Sequence, residues 1–330
     1  MSELDLLQVQ IGKETTWGTS VTPTAKLMNV TDISLEPVVE TIVHKTIRGT
    51  LAPGYLANVR RIAGQGSIQA LVDYEDLPYY LEGLFGVATP SGAGPYTRDY
   101  VAPVVTGTKP TPRIFTVVYG DSSGTYKLEG GLITKLTIKG DALSPLTLQA
   151  DLIGKDVVTG SLASLSDRTV NVVMGADTTL YIDTWSGTMG STQVNATFFA
   201  FELTIDSKMT LRHYMGALTP GAYTQPAYEG TLKLTLEFNT TSKAYLDALL
   251  TSTVGSPFQR QVRIKATRDS GSSEKLAQFD FAGTATTAPK VFTNQDGVAT
   301  IELELHGTYN SGTFANWFKA SSKNSVSTLP

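Results

Sequence analysis

No cysteine occurs in the 330-residue chain, which removes disulfides, thiol nucleophiles and thiolate metal sites together. Histidine is nearly as scarce: His44, His213 and His306 are scattered and share no ligand spacing with other donors, so no metal and no cofactor is expected. Charge is thin as well. Charged residues are 17% of the chain, against about 25% in an average globular protein, and Thr, Ser and Gly take their place. Lys+Arg is 26 and Asp+Glu 30, a formal net charge of −4, so the basic surplus of a phosphate-gripping protein is missing. A surface past which DNA slides would instead be neutral or mildly acidic. No apolar run of 18 or more residues is present, and Met1-Ser-Glu-Leu-Asp-Leu-Leu7 lacks the basic start and apolar stretch of a signal peptide. The expectation is therefore no membrane insertion and folding in a cytoplasm.

Catalytic motifs are missing too. Gly120-Asp121-Ser122-Ser123-Gly124 fits G-x-S-x-G, but a nucleophile elbow needs a helix to follow the serine. Here Thr125-Tyr126-Lys127-Leu128 reads as a strand, so a β-turn rich in Asp, Ser and Gly explains the string better. Gly12-Lys13-Glu14 and Gly154-Lys155-Asp156 lack the glycine spacing and the Ser/Thr of a P-loop. Gly64-x-Gly66 opens a strand rather than a helix, against a dinucleotide site. No catalytic residue is assigned, and the chain reads as a non-enzyme.

What the chain has is alternation and repetition. Gly49-Thr-Leu51-Ala-Pro53-Gly54 returns as Gly216-Ala-Leu218-Thr-Pro220-Gly221. Each leads to a glycine-started strand, Gly66-Ser-Ile68-Gln-Ala70-Leu-Val72 and then Gly230-Thr-Leu232-Lys-Leu234-Thr-Leu236. A short apolar helix follows each, with Leu77, Tyr80, Leu81, Leu84 and Phe85 as one stripe and Tyr245, Leu246, Leu249 and Leu250 as the other. Ser242 is the expected N-cap of the second. Further period-2 segments fall at 132–139, 146–152, 199–205, 262–267, 276–281 and 299–305, the pattern of antiparallel sheets with one buried and one wet face. The length suits about two domains. The expected fold is all-β dominated: two tandem β-sandwich or barrel domains, 1–160 and 161–330, each with one short flanking α-helix. The first carries a Pro- and Gly-rich insertion at about 87–131, and 159–166 reads as linker.

Several segments together resemble the tail tube proteins of long, non-contractile-tailed bacteriophages. They are the opening Ile11-Gly-Lys-Glu14-Thr-Thr-Trp17-Gly18, the helix over 76–86 after an alternating strand, and the run 126–140 leading to Asp151-Leu-Ile-Gly154-Lys155. The ending Phe314-Ala-Asn-Trp317-Phe-Lys-Ala-Ser-Ser-Lys-Asn324 has the same look. The order of these parts carries the resemblance more than any one motif. It implies a duplicated tail-tube-type domain in a structural virion protein of the phage tail, assembled in the host cytoplasm. Three such chains would close a pseudo-hexameric ring, and stacked rings would form the conduit for DNA ejection. Implied partners are copies of itself, tape-measure protein and DNA passing transiently through the lumen, and tail-tip or baseplate and terminator proteins at the ends. Closing the sheets into a ring would also remove exposed strand edges.

On that reading the polar strand faces line the lumen, with Asp73, Asp151, Glu202, Asp206, Glu237, Glu302 and Glu304 tempered by Lys135, Lys139 and Lys233. The segments 36–62 and 206–226 read as long hairpin or loop excursions for contacts between subunits. Arg48, Leu51, Pro53, Arg60, Arg61, Arg212, Leu218 and Pro220 are the candidates there. Two alternatives stay open: another tail ring component of the same fold, such as a terminator or baseplate protein, and a β-sandwich adhesin.

Overall fold

The computed structural model describes residues 6–329 apart from 46, 48, 50, 52, 53, 55, 105–109, 196, 254, 255 and 296. Strands take 54% of the chain and helical segments 9%, so the all-β expectation holds. The first strands are β1 (Gln8–Lys13), β2 (Ala25–Leu27), β3 (Val30–His44) and β4 (Leu56–Leu71), followed by helix α1 (Leu77–Phe85). Next come β5 (Tyr96–Val101), β6 (Phe115–Gly120), β7 (Thr125–Asp141), β8 (Thr147–Gly154) and β9 (Asp156–Thr159). The chain continues through β10 (Thr178–Thr184), β11 (Gln193–Val194), β12 (Phe198–Asp206), β13 (Thr210–Arg212), β14 (Ala222–Thr224) and β15 (Glu229–Glu237). Helix α2 (Thr240–Leu250), β16 (Gln259–Arg268), β17 (Lys275–Thr284), β18 (Lys290–Gln295), β19 (Val298–Gly307) and β20 (Phe318–Asn324) complete it.

One antiparallel sheet runs through the whole molecule in the order β3-β4-β8-β7-β12-β15-β19-β18. The β7–β12 ladder joins the strands before residue 160 to those after it. Alternation decides which face is dry. Ile68, Ala70, Leu136, Ile138, Leu148, Ala150, Leu203, Ile205, Leu232, Leu234, Leu303 and Leu305 are all buried on one side. Outer layers cover that side. β2-β1-β6 continue into the first part of β7 and then β9. The other outer layer runs β11-β10-β16-β17-β20-β5.

Several local expectations need correction. The segments 124–128 and 132–139 are one continuous strand, β7, which leaves the outer layer and enters the long sheet. The bend falls near Gly130, whose φ is 65°. Helix α1 is not one-sided: every residue from Leu77 to Phe85 is buried. Residues distant in sequence close over it: Phe85 stacks on Phe318 at 5.3 Å and on Tyr228 at 5.6 Å, and off the stripe the Arg168 guanidinium lies 5.1 Å from the centre of the Tyr79 ring. Glu82 on this helix pairs with Arg113 at 2.5 Å, and both side chains are almost fully buried. The helix stops at Gly86, where φ is 93° and a Cβ would lie 2.5 Å from the Thr111 carbonyl oxygen. The N-cap of α2 is Asn239, whose side chain accepts from the Thr241 and Ser242 amides. Ser242 sits at the third helical position, where its hydroxyl accepts from the Asn239 amide.

Candidate assembly surface

The wet face of the long sheet is a set of cross-strand rows. Thr147, Lys139, Glu202, Lys233 and Glu304 lie directly opposite one another across β8, β7, β12, β15 and β19. A second row runs Asp32, Gln69, Gln149, Thr137, Thr204, Thr231, His306, and a third runs Ser34, Ser67, Asp151, Lys135, Asp206, Glu229. Strand periodicity accounts for this: along each strand successive side chains alternate between the dry and the wet side, so residues of one row and of rows two apart project together. Lys139 and Glu202 pair at 3.3 Å, Lys290 and Glu302 at 3.2 Å. The Gln149 amide donates to Asp151 at 3.0 Å. Hydrogen bonds to Glu229 and Asp206 hold the Lys208 ammonium above its ordinary range. Carboxylates outnumber lysines on this face, which gives it a net acidic field.

Asp151, Glu202, Asp206, Glu237, Glu302, Glu304, Lys135, Lys139 and Lys233 all fall on this wet face. Asp73 does not, and its expected lumen position is corrected. β4 ends at Leu71, so alternation no longer applies two residues later. Asp73 is only 3% exposed. Its carboxylate accepts from the Glu75 amide at 2.7 Å, from Asn29 Nδ2 at 3.0 Å and from the Asn171 amide, fixing the turn into α1. Sequence reading missed Asp32, Glu36 and Lys290, which share the wet face. The signal was available: Asp32-Ile33-Ser34-Leu35-Glu36 repeats the chemistry of Glu202-Leu203-Thr204-Ile205-Asp206.

The segment 36–62 is the outer part of a two-stranded ribbon, since β3 and β4 stay paired from Val30 to His44. Toward its tip both ribbon faces lose their cover. Val39, Ile42, Val43, Leu56 and Val59 are exposed, and Ile47 and Leu51 are fully so. Arg60 is exposed, and Arg61 pairs with Glu40 at 2.5 Å. Arg48 and Pro53 lie outside the described residues. The second excursion carries the small β13–β14 ribbon, where Arg212 Nε donates to Thr224 Oγ1 at 2.6 Å. Pro220 is buried, while Leu218 is exposed and its carbonyl accepts from the Ile62 amide at 2.8 Å. The two excursions therefore touch.

The G-x-S-x-G string lies in a β-turn. The Asp121 carboxylate accepts from the Ser123 and Gly124 amides at 2.7 and 3.1 Å, and β7 follows at Thr125. Ser122 therefore sits in a turn between two strands, without the helix an elbow requires. Among the described residues no group of three or more His, Asp or Glu could hold a metal ion. No helix among them is long and apolar enough to cross a membrane. The site offers shape, strand edges, apolar ribbon and a charged face, which are the means of self-association.

No curated protein matches the chain. A family model described as phage tail tube protein matches residues 6–307. With most of its length covered by that match, the chain belongs to the phage tail tube protein family, and its role is the structural one of building the tail tube.

Proposed function

We propose that three copies of this chain close into a ring, and that rings stack into a tube whose bore carries DNA and the tape-measure protein. The chain is read as a duplicated unit: β3-β4-β8-β7 and β12-β15-β19-β18 are two sets of four strands laid side by side in the same order. That juxtaposition carries the proposal. Eight strands per chain and three chains give about 24, enough for a barrel that encloses a channel instead of filling with side chains. The wet face would line the bore. Its carboxylates repel phosphate, and its interspersed lysines keep that repulsion moderate, so DNA passes without being held. The β3–β4 ribbon, together with the 206–226 excursion it touches, would grip the next ring. Terminator and tail-tip proteins would cap the ends.

Electron microscopy of purified protein, alone and with a tail-tip complex as nucleator, tests the proposal. Hollow tubes built from three-chain rings are expected. Single rings that never stack would favour a terminator-like component, and a persistent monomer with the nucleator present would refute the assembly reading.

A further inference from the structure

We infer that the β18 edge of one copy pairs with the β3 edge of the next in the register that β7 and β12 display inside the chain, placing Lys290 opposite Asp32 of the next copy. This rests on the ring reading and gives it residues. Among the described residues β3 pairs only with β4 and β18 only with β19, so the sheet ends in two open edges.

The internal seam is the template. Glu202 faces Lys139, Thr204 faces Thr137 and Asp206 faces Lys135. β3 holds the place beside β4 that β12 holds beside β15: Leu35 is opposite Gly66, and Ile205 is opposite Gly230. Asp32, Ser34 and Glu36 are thereby level with Glu202, Thr204 and Asp206. Pro37 follows at once and has no N–H to give, which ends the stretch able to accept another strand.

At the other edge, Ile68 faces Ala150 and Leu232 faces Leu305, so Thr147 is level with Glu302 and Asp151 with His306. Thr147 faces Lys139 and Glu302 faces Lys290. Asp151 faces Lys135 and His306 faces Thr284. Lys290 is thus the counterpart of Lys139, and it projects 76% exposed. Residues 285–289 form no strand and carry two residues more than the matching stretch of β7. Thr284 stands where the internal seam has Lys135, so the outer seam has one cation fewer.

The helices give a second, independent indication. α1 is covered from across the internal seam, where Tyr228 Oη donates to the Leu84 carbonyl at 2.6 Å and Lys275 pairs with Glu75 at 2.6 Å. α2 holds the equivalent place, yet Leu250 is 70% exposed and Tyr245, Leu246 and Leu249 are only half-buried. The next copy would close over α2 as the later strands close over α1. An exposed ion pair adds little affinity. Lys290 and Asp32 set register and polarity, while the strand ladder and the α2 face supply the hold.

The cysteine-free background makes a disulfide test clean. Directly opposed residues in an antiparallel ladder have Cα atoms about 4.5–5.5 Å apart, within the roughly 4.4–6.8 Å that a disulfide spans. Tubes of an Asp32→Cys/Lys290→Cys chain, once oxidised, should give a denaturing-gel ladder ending at three chains, and neither single variant should give it. Lys139→Cys/Glu202→Cys is the internal control and should oxidise without linking chains. Tubes that yield no inter-chain bond while the control oxidises overturn the seam and leave the ring reading standing. Wild-type protein that forms no tubes on the nucleator overturns both. Should the double-cysteine chain not assemble, charge reversal decides: Asp32→Lys is expected to cut tube yield at least about tenfold, and adding Lys290→Glu to restore it. A double reversal no better than the single one overturns the seam.

Discussion

Replacing Ile47 and Leu51 with serine removes apolar surface only from the end of the β3–β4 ribbon. Both side chains are fully exposed in the single chain, so the folded monomer loses no packing. Its unfolding free energy should change by less than about 0.5 kcal/mol, as for surface substitutions generally. The assembled state is different if the ribbon grips a neighbouring ring. Complete burial of an Ile or Leu side chain contributes about 1.5–3 kcal/mol, so the pair accounts for about 3–6 kcal/mol of association per chain. At about 1.4 kcal/mol per decade that is a rise of roughly a hundred- to ten-thousand-fold in the concentration needed to extend a tube. Sedimentation of polymer on a fixed amount of nucleator reads this threshold directly, and thermal melting of the unassembled protein supplies the control. A variant with an unchanged melting temperature and an unchanged threshold would remove the ribbon tip from the stacking contact. A variant that melts early would show that the tip supports the monomer instead.

Other perturbations address the fold that presents these surfaces. Glu82→Ala leaves the buried Arg113 guanidinium without the carboxylate 2.5 Å away, and urea unfolding should show a loss of about 3–5 kcal/mol. Gly230→Ala would put a Cβ 2.3 Å from the Trp317 ring. Overpacking of this kind costs about 1–3 kcal/mol, and Trp317→Leu in the same chain should recover part of it in a double-mutant cycle. Asp183 is pushed up by burial, but hydrogen bonds from Ser191, Thr192 and the Gly190 amide outweigh this and leave its carboxyl below the usual range. Its contribution to stability is therefore complete above about pH 4, the unfolded carboxyl value. It is lost as pH falls through the depressed folded value. Asp183→Asn should flatten that part of the acid-unfolding curve, and an unchanged acid limb would show that the carboxylate carries no linkage.

Legibility in the sequence followed burial. β8, β15 and β19 place Leu, Ile or Ala at alternate positions with polar residues between, and each could be read from its own letters. β3 could not. Its outer half has no dry side, so Val38-Val39 and Ile42-Val43 break the period, and the strand reads as a loop from Glu36 onward. That hides Glu36, at the start of the irregular half, whereas Asp32 lies in the regular inner part of β3 and could have been placed on the wet face from its own alternation. α1 showed its stripe of Leu77, Tyr80, Leu81, Leu84 and Phe85, but Tyr79 and Glu82 are also buried, and their partners Arg168 and Arg113 come from irregular segments outside the helix's own pattern. Asp73 failed for a local reason: alternation was carried past the end of a strand into a turn. The helix cap was visible in part, since Asn239 and Ser242 are the two halves of one reciprocal motif.

β20 lies at residues 318–324, and its partner on one side is β5, at residues 96–101. More than 200 residues of polypeptide separate the two, so β5 waits for its neighbour until all of the intervening strands have been made. Native contacts of such long range are slow to form. Until then the ring of Phe85 lacks Phe318, and the bonds that Asn324 gives to the Tyr74 carbonyl and accepts from Arg98 are missing. β20 thus fastens the segment from Tyr74 to Val101 only after β19 has been made. The packing around Phe85 is therefore completed only once those late strands are in place, and the early part of the chain does not mature by itself.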